Sequence, residues 1–535
     1  MRTTATSTAA LARRGRGAGP GAPSPLARLV LTASAVVAAG LAAIPLVYLL
    51  VRVLGADGAS VVAALARPRT LQLAVHTVGL TVAVAAACLV LGVGTAWLLG
   101  QTRLPGRRAW VVVSTLPLAV PSYVAAFGWV ALMPLRGFWG AFVVLTVCNV
   151  PLVTLPTLAA LRLANPAYED VARTLGRPRA RAFLESTWPQ VRPAALAGVL
   201  LVALYVLSDF GAVAIMRFDV FTWAIHSAYT SQFDRTLAAA LSTVLAAMGI
   251  ALVWAERRLR GAQARHGSTV AARVVRTPVR LGGWTWPAGV ALTLTPLAAL
   301  GVPVAALLRY LTARASTGTR VPASEVAADA VSTVALASGG ALVALALALP
   351  IGLLAARFRS RLSASLESAS YVGLALPGIV VGLSLVFFSL AVVPALYQSV
   401  WMLAFAYGVL FLPKAVGAVR ASIEQVEPGL EDVARSLGST RARVWARVTA
   451  RIAWPGIGAG VLLVALTAMK ELPATLLLRP TGADTLATSL WRLTESAAYG
   501  AAAPYALVLV AVAVGPALLL TRDAVATVRQ RRDGE

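Results

Sequence analysis

The stretch PAYEDVARTLGRPRAR, residues 166–181, returns as PGLEDVARSLGSTRAR at residues 428–443. The correspondence runs without a gap over 166–217 and 428–479, at a constant offset of 262 residues (428 minus 166). Within it AGVLLVAL recurs identically at 197–204 and 459–466, Asp209 faces Glu471, and Arg217 faces Arg479. An apolar octapeptide can recur by chance in a hydrophobic chain, but EDVAR-x-LG-x-x-RAR cannot recur in register that way. The chain is therefore built from two copies of one unit, and this repeat decides the architecture.

What surrounds the repeat is apolar. Of the 535 residues 59% are hydrophobic and only 13% charged, with a mean hydropathy of +0.78, where a soluble domain carries about 25% charged residues. A membrane-crossing helix needs about 20 mostly apolar residues. Such stretches fall at 29–51, 70–99, 109–132, 138–161, 191–215, 236–255, 284–308, 329–356, 366–391, 395–419, 456–478 and 502–521. In each half the repeated segment follows the fourth span and enters the fifth, so the halves are parallel repeats of the same orientation. The expected fold is all-α and polytopic, about 12 transmembrane helices in two six-helix halves. Residues 28–256 form the first half and 283–525 the second, with a tail at 1–27, a basic linker at 257–282 and a short tail at 526–535. Little chain remains for a soluble catalytic domain. The run at 29–51 is too long for the apolar core of a secretion signal and reads as an uncleaved first span.

The net charge of +26 would suggest nucleic acid in a soluble chain. Here the arginines cluster in alternate short segments between apolar runs, which is the positive-inside pattern of a multi-pass protein with both termini cytoplasmic. Nucleic acid is excluded on this reading and the lipid bilayer is the partner; anionic headgroups also account for part of the basic surface. Cys88 and Cys148 lie inside apolar spans and His76, His226 and His266 are scattered, so neither a disulfide framework nor a metal site is indicated. The only lysines, Lys414 and Lys470, do not follow G-x-x-x-x-G. Without a phosphate-binding loop the chain is not expected to hydrolyse ATP or to hold a cofactor. GQTRLPGRR at 100–108 imitates a motif of twelve-span secondary transporters of the major facilitator type, but lacks its aspartate and spacing.

Each repeated loop reads as two short helices. Pro166 and Pro428 suit a helix start, Glu169, Asp170, Glu431 and Asp432 place negative charge near a positive helix N-terminus, and Gly176 and Gly438 stand where a residue with positive φ ends the first helix. Arg179 and Arg181, with Arg441 and Arg443, open a second, basic helix. These loops, 166–189 and 428–455, resemble the EAA loop of permeases of ATP-binding-cassette importers, whose pattern is E-A-A, a glycine and, thirteen residues later, a proline. The first copy gives Glu169-Asp170-Val171, Ala172 and Gly176, with Pro189 in the expected place. The second gives Glu431-Asp432-Val433, Ala434 and Gly438, but Arg451 stands where the proline belongs, so its second helix is expected to continue further or to dock differently.

Longer strings resemble the fused two-half permeases of the ferric-iron type: SDFGAVAIMRFDVFT at 208–222, KELPATLLLRPTGADTLATSLW at 470–491, TLPLAVPSYVAAFGW at 115–129 and LALPGIVVGLSL at 374–385. Thiamine, polyamine and aminoethylphosphonate permeases have similar halves. The resemblance implies the pore of a type I importer in the cytoplasmic membrane. It also implies that the two loops dock on two copies of an ATP-binding subunit and that an extracytoplasmic binding protein delivers the substrate. Three ionisable residues in or near spans, Asp209, Lys470 and Glu471, are candidates for the translocation pathway. Counted from about residue 191 at ~1.5 Å per residue, Asp209 lies roughly 27 Å along its helix, so Asp209 and Glu471 are expected to flank the outer mouth.

Overall fold

The computed structural model describes residues 25–133, 135–263, 279–317, 321–358 and 360–513. Nearly all of the tail 1–27, the middle of the linker 257–282, the end of the twelfth expected span and the tail 526–535 lie outside the described residues. Nine helices among the described residues are long and apolar enough to cross a membrane: Arg28–Leu54, Pro68–Gln101, Gly137–Leu163, Arg179–Ser208, Arg235–Ala255, Gly282–Thr312, Ala323–Arg357, Val400–Glu424 and Arg441–Ala468. Trp139 and Trp401 occupy equivalent positions of the repeat at the starts of Gly137–Leu163 and Val400–Glu424. They are 66% and 73% exposed, as expected of aromatic side chains at a membrane–water interface.

Two expected spans are not continuous. Residues 109–132 form Arg107–Ala119 and Ser122–Leu132, bent by 89°. Residues 366–391 form Arg361–Ala375 and Gly378–Val392, bent by 102°. Pro121 and Pro377 cause both breaks. A residue before proline is driven out of the helical region, and Val120 (φ −82°, ψ 124°) and Leu376 (φ −95°, ψ 116°) are extended. Two more expected spans, 191–215 and 456–478, also stop short. Their helices end at Ser208 and Ala468, and the chain resumes as the short helices Gly211–Ile215 and Pro473–Leu478. The last expected span is described only as Tyr499–Ala513.

The halves interlock. The first helix of half one, Arg28–Leu54, packs on Ala323–Arg357 and Gly378–Val392 of half two, while Val302–Thr317 of half two packs on the bent segment Ser122–Leu132 of half one. Gly128 makes the second contact possible, because a Cβ there would collide with Pro303. Gly198 and Gly460, the shared glycines of the AGVLLVAL repeat, serve the same purpose inside each half. A Cβ on Gly198 would lie 2.7 Å from the Leu152 carbonyl oxygen, and one on Gly460 would strike Ala418. The recurring octapeptide is thus a packing surface rather than an accident of apolar composition. At the end of the bundle carrying the repeated loops, the linker rejoins half one through a single β-bridge, Arg103 N to Val279 O at 3.0 Å and Val279 N to Gln101 O at 2.8 Å.

Candidate functional site

The first helix of each repeated loop is short: Ala167–Thr174 and Pro428–Ser436. Both end in the same hydrogen-bonded reversal. Gly176 has φ +83° and Gly438 φ +84°. Gly176 N donates to Arg173 O (3.0 Å) and Arg177 N to Ala172 O (3.1 Å); Gly438 N donates to Arg435 O (2.9 Å) and Ser439 N to Ala434 O (3.1 Å). These paired bonds satisfy carbonyls that the end of a helix leaves open, and they need a left-handed residue at the turn. Ala172 and Ala434 enter through their carbonyls.

The basic second helix is not separate. Its residues are the opening turns of Arg179–Ser208 and Arg441–Ala468, which run unbroken into the bundle. Arg451 therefore changes nothing in the course of the backbone. Each of these helices contains one widened π-turn, at Phe183–Thr187 and Trp445–Thr449, and each turn ends in a buried threonine. Thr187 Oγ1 donates to Glu169 Oε2 at 2.8 Å and Thr449 Oγ1 to Glu431 Oε1 at 2.7 Å. The glutamates, placed by sequence as charges facing a helix N-terminus, tie the loop helix to the spanning helix behind it. Glu431 is also paired with Arg357, whereas Asp170 is exposed and Asp432 pairs with Arg435. The threonines escape a motif reading, although both lie in the gapless repeat at the same offset. Pro189 is exposed in the first turn after the π-turn.

With the loop helix held from behind, its outer face is left apolar. Tyr168, Val171 and Leu175 are 60%, 57% and 77% exposed, and their repeat equivalents Leu430, Val433 and Leu437 are 47%, 58% and 80% exposed. Spacings of three and four put each trio on one face of a helix. An apolar patch on a loop outside the spans, present twice, fits a protein partner better than lipid or water. Thr187→Val and Thr449→Val should each remove a hydrogen bond to a charged group, about 1.5–3 kcal/mol. Amide hydrogen exchange in 167–176 or 428–438 should then rise about tenfold or more, with Thr→Ser variants retaining protection.

The pathway candidates Asp209, Lys470 and Glu471 lie where the helix breaks meet. Asp209 is buried, and Ser122 at the start of Ser122–Leu132 donates its hydroxyl to the carboxylate. Ala212 N donates to the other carboxylate oxygen at 3.0 Å, and Thr222 Oγ1 to the Asp209 carbonyl at 2.7 Å. Ser122 is about 20 Å of helix from Arg107, and the break it opens carries Asp209 to the same depth. In half two Ala474 N donates to Glu471 Oε1 at 3.2 Å, and this oxygen lies against Gly378, the first residue of the other bent segment. Each carboxylate thus caps a short helix and abuts a bent one, and the pair is related by the repeat. Lys470 does something else: its Nζ crosses between the halves to donate to Leu118 O at 3.1 Å. Lys414, which sequence reasoning uses only to exclude ATP binding, stands beside this group, its Nζ donating to Thr467 Oγ1 at 3.2 Å. Its signal was rarity, one of two lysines in the chain, inside an apolar run. Cys88 and Cys148 are buried and free, and the described residues hold no cluster of His, Cys, Asp and Glu able to bind a metal.

Two parallel helical repeats, interlocked through their first helices, with twin cap-and-turn loops and a polar seam at helix breaks, define a membrane permease. The sequence pattern of the family described as "Binding-protein-dependent transport system inner membrane component" matches twice, over residues 89–260 and 348–526, and the chain belongs to that family. It is 34% identical over 484 residues to an Fe(3+)-transport system permease protein of Haemophilus influenzae, covering 90% of this chain and 96% of that one. It is also 29% identical over 202 residues to a sulfate transport system permease protein of Salmonella typhimurium, 34% of this chain and 72% of that one. A molybdenum transport system permease protein of Escherichia coli is 31% identical over 141 residues, 23% of this chain and 62% of that one.

Proposed function

We propose that this chain forms the whole translocation pore of an ATP-driven importer for ferric iron. The cargo reading is supported by the similarity to the Fe(3+)-transport permease along nearly the full length of both chains, whereas the sulfate and molybdenum relatives named above align with about a third of this chain or less. The repeated loops face the cytoplasm, where most of the arginine falls under the positive-inside rule, and both termini and the linker lie on that side. Each loop docks on one copy of a separate ATP-binding subunit through Tyr168, Val171 and Leu175 or through Leu430, Val433 and Leu437. An extracytoplasmic binding protein delivers the cargo to the opposite face. Asp209 and Glu471 hold the helix breaks that form the pathway.

The observation carrying this reading is the twin apolar face, exposed at equivalent positions of two loops that are themselves pinned from behind. Native mass spectrometry of the detergent-solubilised complex should show one copy of this chain with two of the ATP-binding subunit, and proteoliposomes containing that complex and the binding protein should accumulate labelled iron only with ATP. A stable complex with one ATP-binding copy, or none, removes the docking assignment. Uptake of another cargo in place of iron removes the cargo assignment alone.

A further inference from the structure

Lys414 and Lys470 are the only lysines among the 47 basic residues, and the fold brings them to neighbouring places: Lys414 Nζ donates to Thr467 Oγ1, three residues before Lys470. They come from different helices. Lys414 lies within Val400–Glu424, and Lys470 follows the end of Arg441–Ala468. Neither lysine is repeated: Leu152 and Ser208 stand at the positions 262 residues earlier. Half one therefore forms the same helices and the same break without any cation, and folding of the unit does not call for one.

An ammonium has three hydrogens to donate. Among the described residues each of these has one acceptor, Thr467 Oγ1 for Lys414 and Leu118 O for Lys470, and the Phe411 ring lies 5.3 Å from the Lys414 nitrogen. No ion pair within 4.0 Å involves either lysine among the described residues. Asp209 and Glu471 are the nearby carboxylates, and Glu471 is near enough for its charge to act on Lys414. Both are engaged elsewhere: Asp209 with Ser122 and Ala212 N, Glu471 with Ala474 N. The positive ends of the short helices they cap offset part of their charge. Two like charges near one another, with no counter-ion in contact, repel, and an anion that joins them relieves that repulsion.

The two lysines are not sealed off. Lys414 is solvent-accessible although its neighbours Pro413 and Ala415 are buried, and Thr467, Lys470 and Glu471 are half-buried. Across the seam Tyr205 of half one, the repeat equivalent of Thr467, is 43% exposed.

We propose that Lys414 and Lys470 together bind an oxyanionic group beside Thr467, a phosphate, sulfate or carboxylate that crosses with the cargo or as the cargo. This rests on the permease reading and deepens its cargo assignment: ferric iron would pass clothed in anionic oxygen ligands, with a net negative complex meeting the two ammonium groups. Lysine suits such a passage because its compact point charge holds an anion without the bidentate grip of arginine.

Equilibrium binding of labelled phosphate, sulfate and citrate to the detergent-solubilised full chain tests the site directly. At least one should bind saturably, with affinity reduced tenfold or more in Lys414→Gln and in Lys470→Gln and retained in Lys414→Arg and Lys470→Arg. The intact transporter in proteoliposomes then separates the two sources. Uptake of the labelled anion only when iron is supplied identifies a ligand carried on the metal. Uptake without iron identifies the oxyanion as the cargo, which keeps the site and removes the iron assignment. The site is overturned if none of the three anions binds the wild-type chain saturably, or if the Lys414→Gln, Lys470→Gln double variant binds and transports as the wild type does. Iron uptake surviving in that double variant leaves the iron assignment standing.

Discussion

Replacing Gly176 and Gly438 together by valine is expected to stop uptake while the ATP-binding subunits go on hydrolysing ATP. Both glycines sit at φ near +83°, a region that costs an L-residue roughly 1–2 kcal/mol and a β-branched one more. Nothing lies within 4 Å of a Cβ built at either position. The penalty is therefore conformational rather than a collision, and it falls on the turn that aims the loop helix. A cost of about 2 kcal/mol depopulates the native turn about 30-fold, and with both loops affected the chain keeps its spans but loses both docking faces. Paired measurements of cargo uptake and ATP hydrolysis in proteoliposomes check this. Asparagine, which tolerates the left-handed region, should restore a large part of the uptake at both positions. Full uptake by the double valine variant would show that these loops do not couple the two activities.

Alanine at Asp209 should destabilise the protein far more than asparagine does. The carboxylate accepts from the Ser122 hydroxyl and from Ala212 N in a buried site, and it thereby fixes two breaks at once: the start of Ser122–Leu132 and the start of Gly211–Ile215. Alanine leaves both donors without a partner, at about 1–3 kcal/mol each, and the measure is a lower melting temperature and less folded protein in the membrane. Asparagine keeps an acceptor oxygen and nearly the same volume. Asp209→Asn, and Glu471→Gln in the other half, should therefore assemble normally and transport within about twofold of wild type, because what each carboxylate contributes is its acceptor oxygens. Normal assembly with collapsed transport in these isosteric variants would assign the charges themselves to the pathway, as their positions in the sequence suggested.

The same residues show how far the sequence was legible. Gly176 and Gly438 could be placed at a left-handed turn from the chain alone, because a helix stop is a local event fixed by a few neighbouring residues. The helix bends at Pro121 and Pro377 are local as well, but a pattern of apolar residues reads straight across them: both arms are hydrophobic, and hydropathy reports which medium a residue occupies, not the direction of the chain. Glu169 and Glu431 do stand in the first turn of their helices, but their second role was hidden for the opposite reason. Their acceptors face Thr187 and Thr449, eighteen residues on, and whether those groups meet depends on a π-turn that no residue pattern announces.

By itself the sequence determined that this chain is a helical membrane protein of two parallel repeats with an equivalent helix-turn loop in each. Apolar content dictates what must leave water, and a twice-written string of residues dictates that two segments fold alike. Only the tertiary structure decided that the first helix of each half lies against the other half, that Asp209 and Glu471 are occupied as caps of short helices, and that Lys414 comes to stand beside Thr467 while Lys470 reaches across to Leu118 of half one. Those outcomes depend on which side chains come together from positions tens to hundreds of residues apart, such as Lys470 and Leu118. Close packing and hydrogen-bond satisfaction fix such encounters in three dimensions, where distance along the chain carries no information.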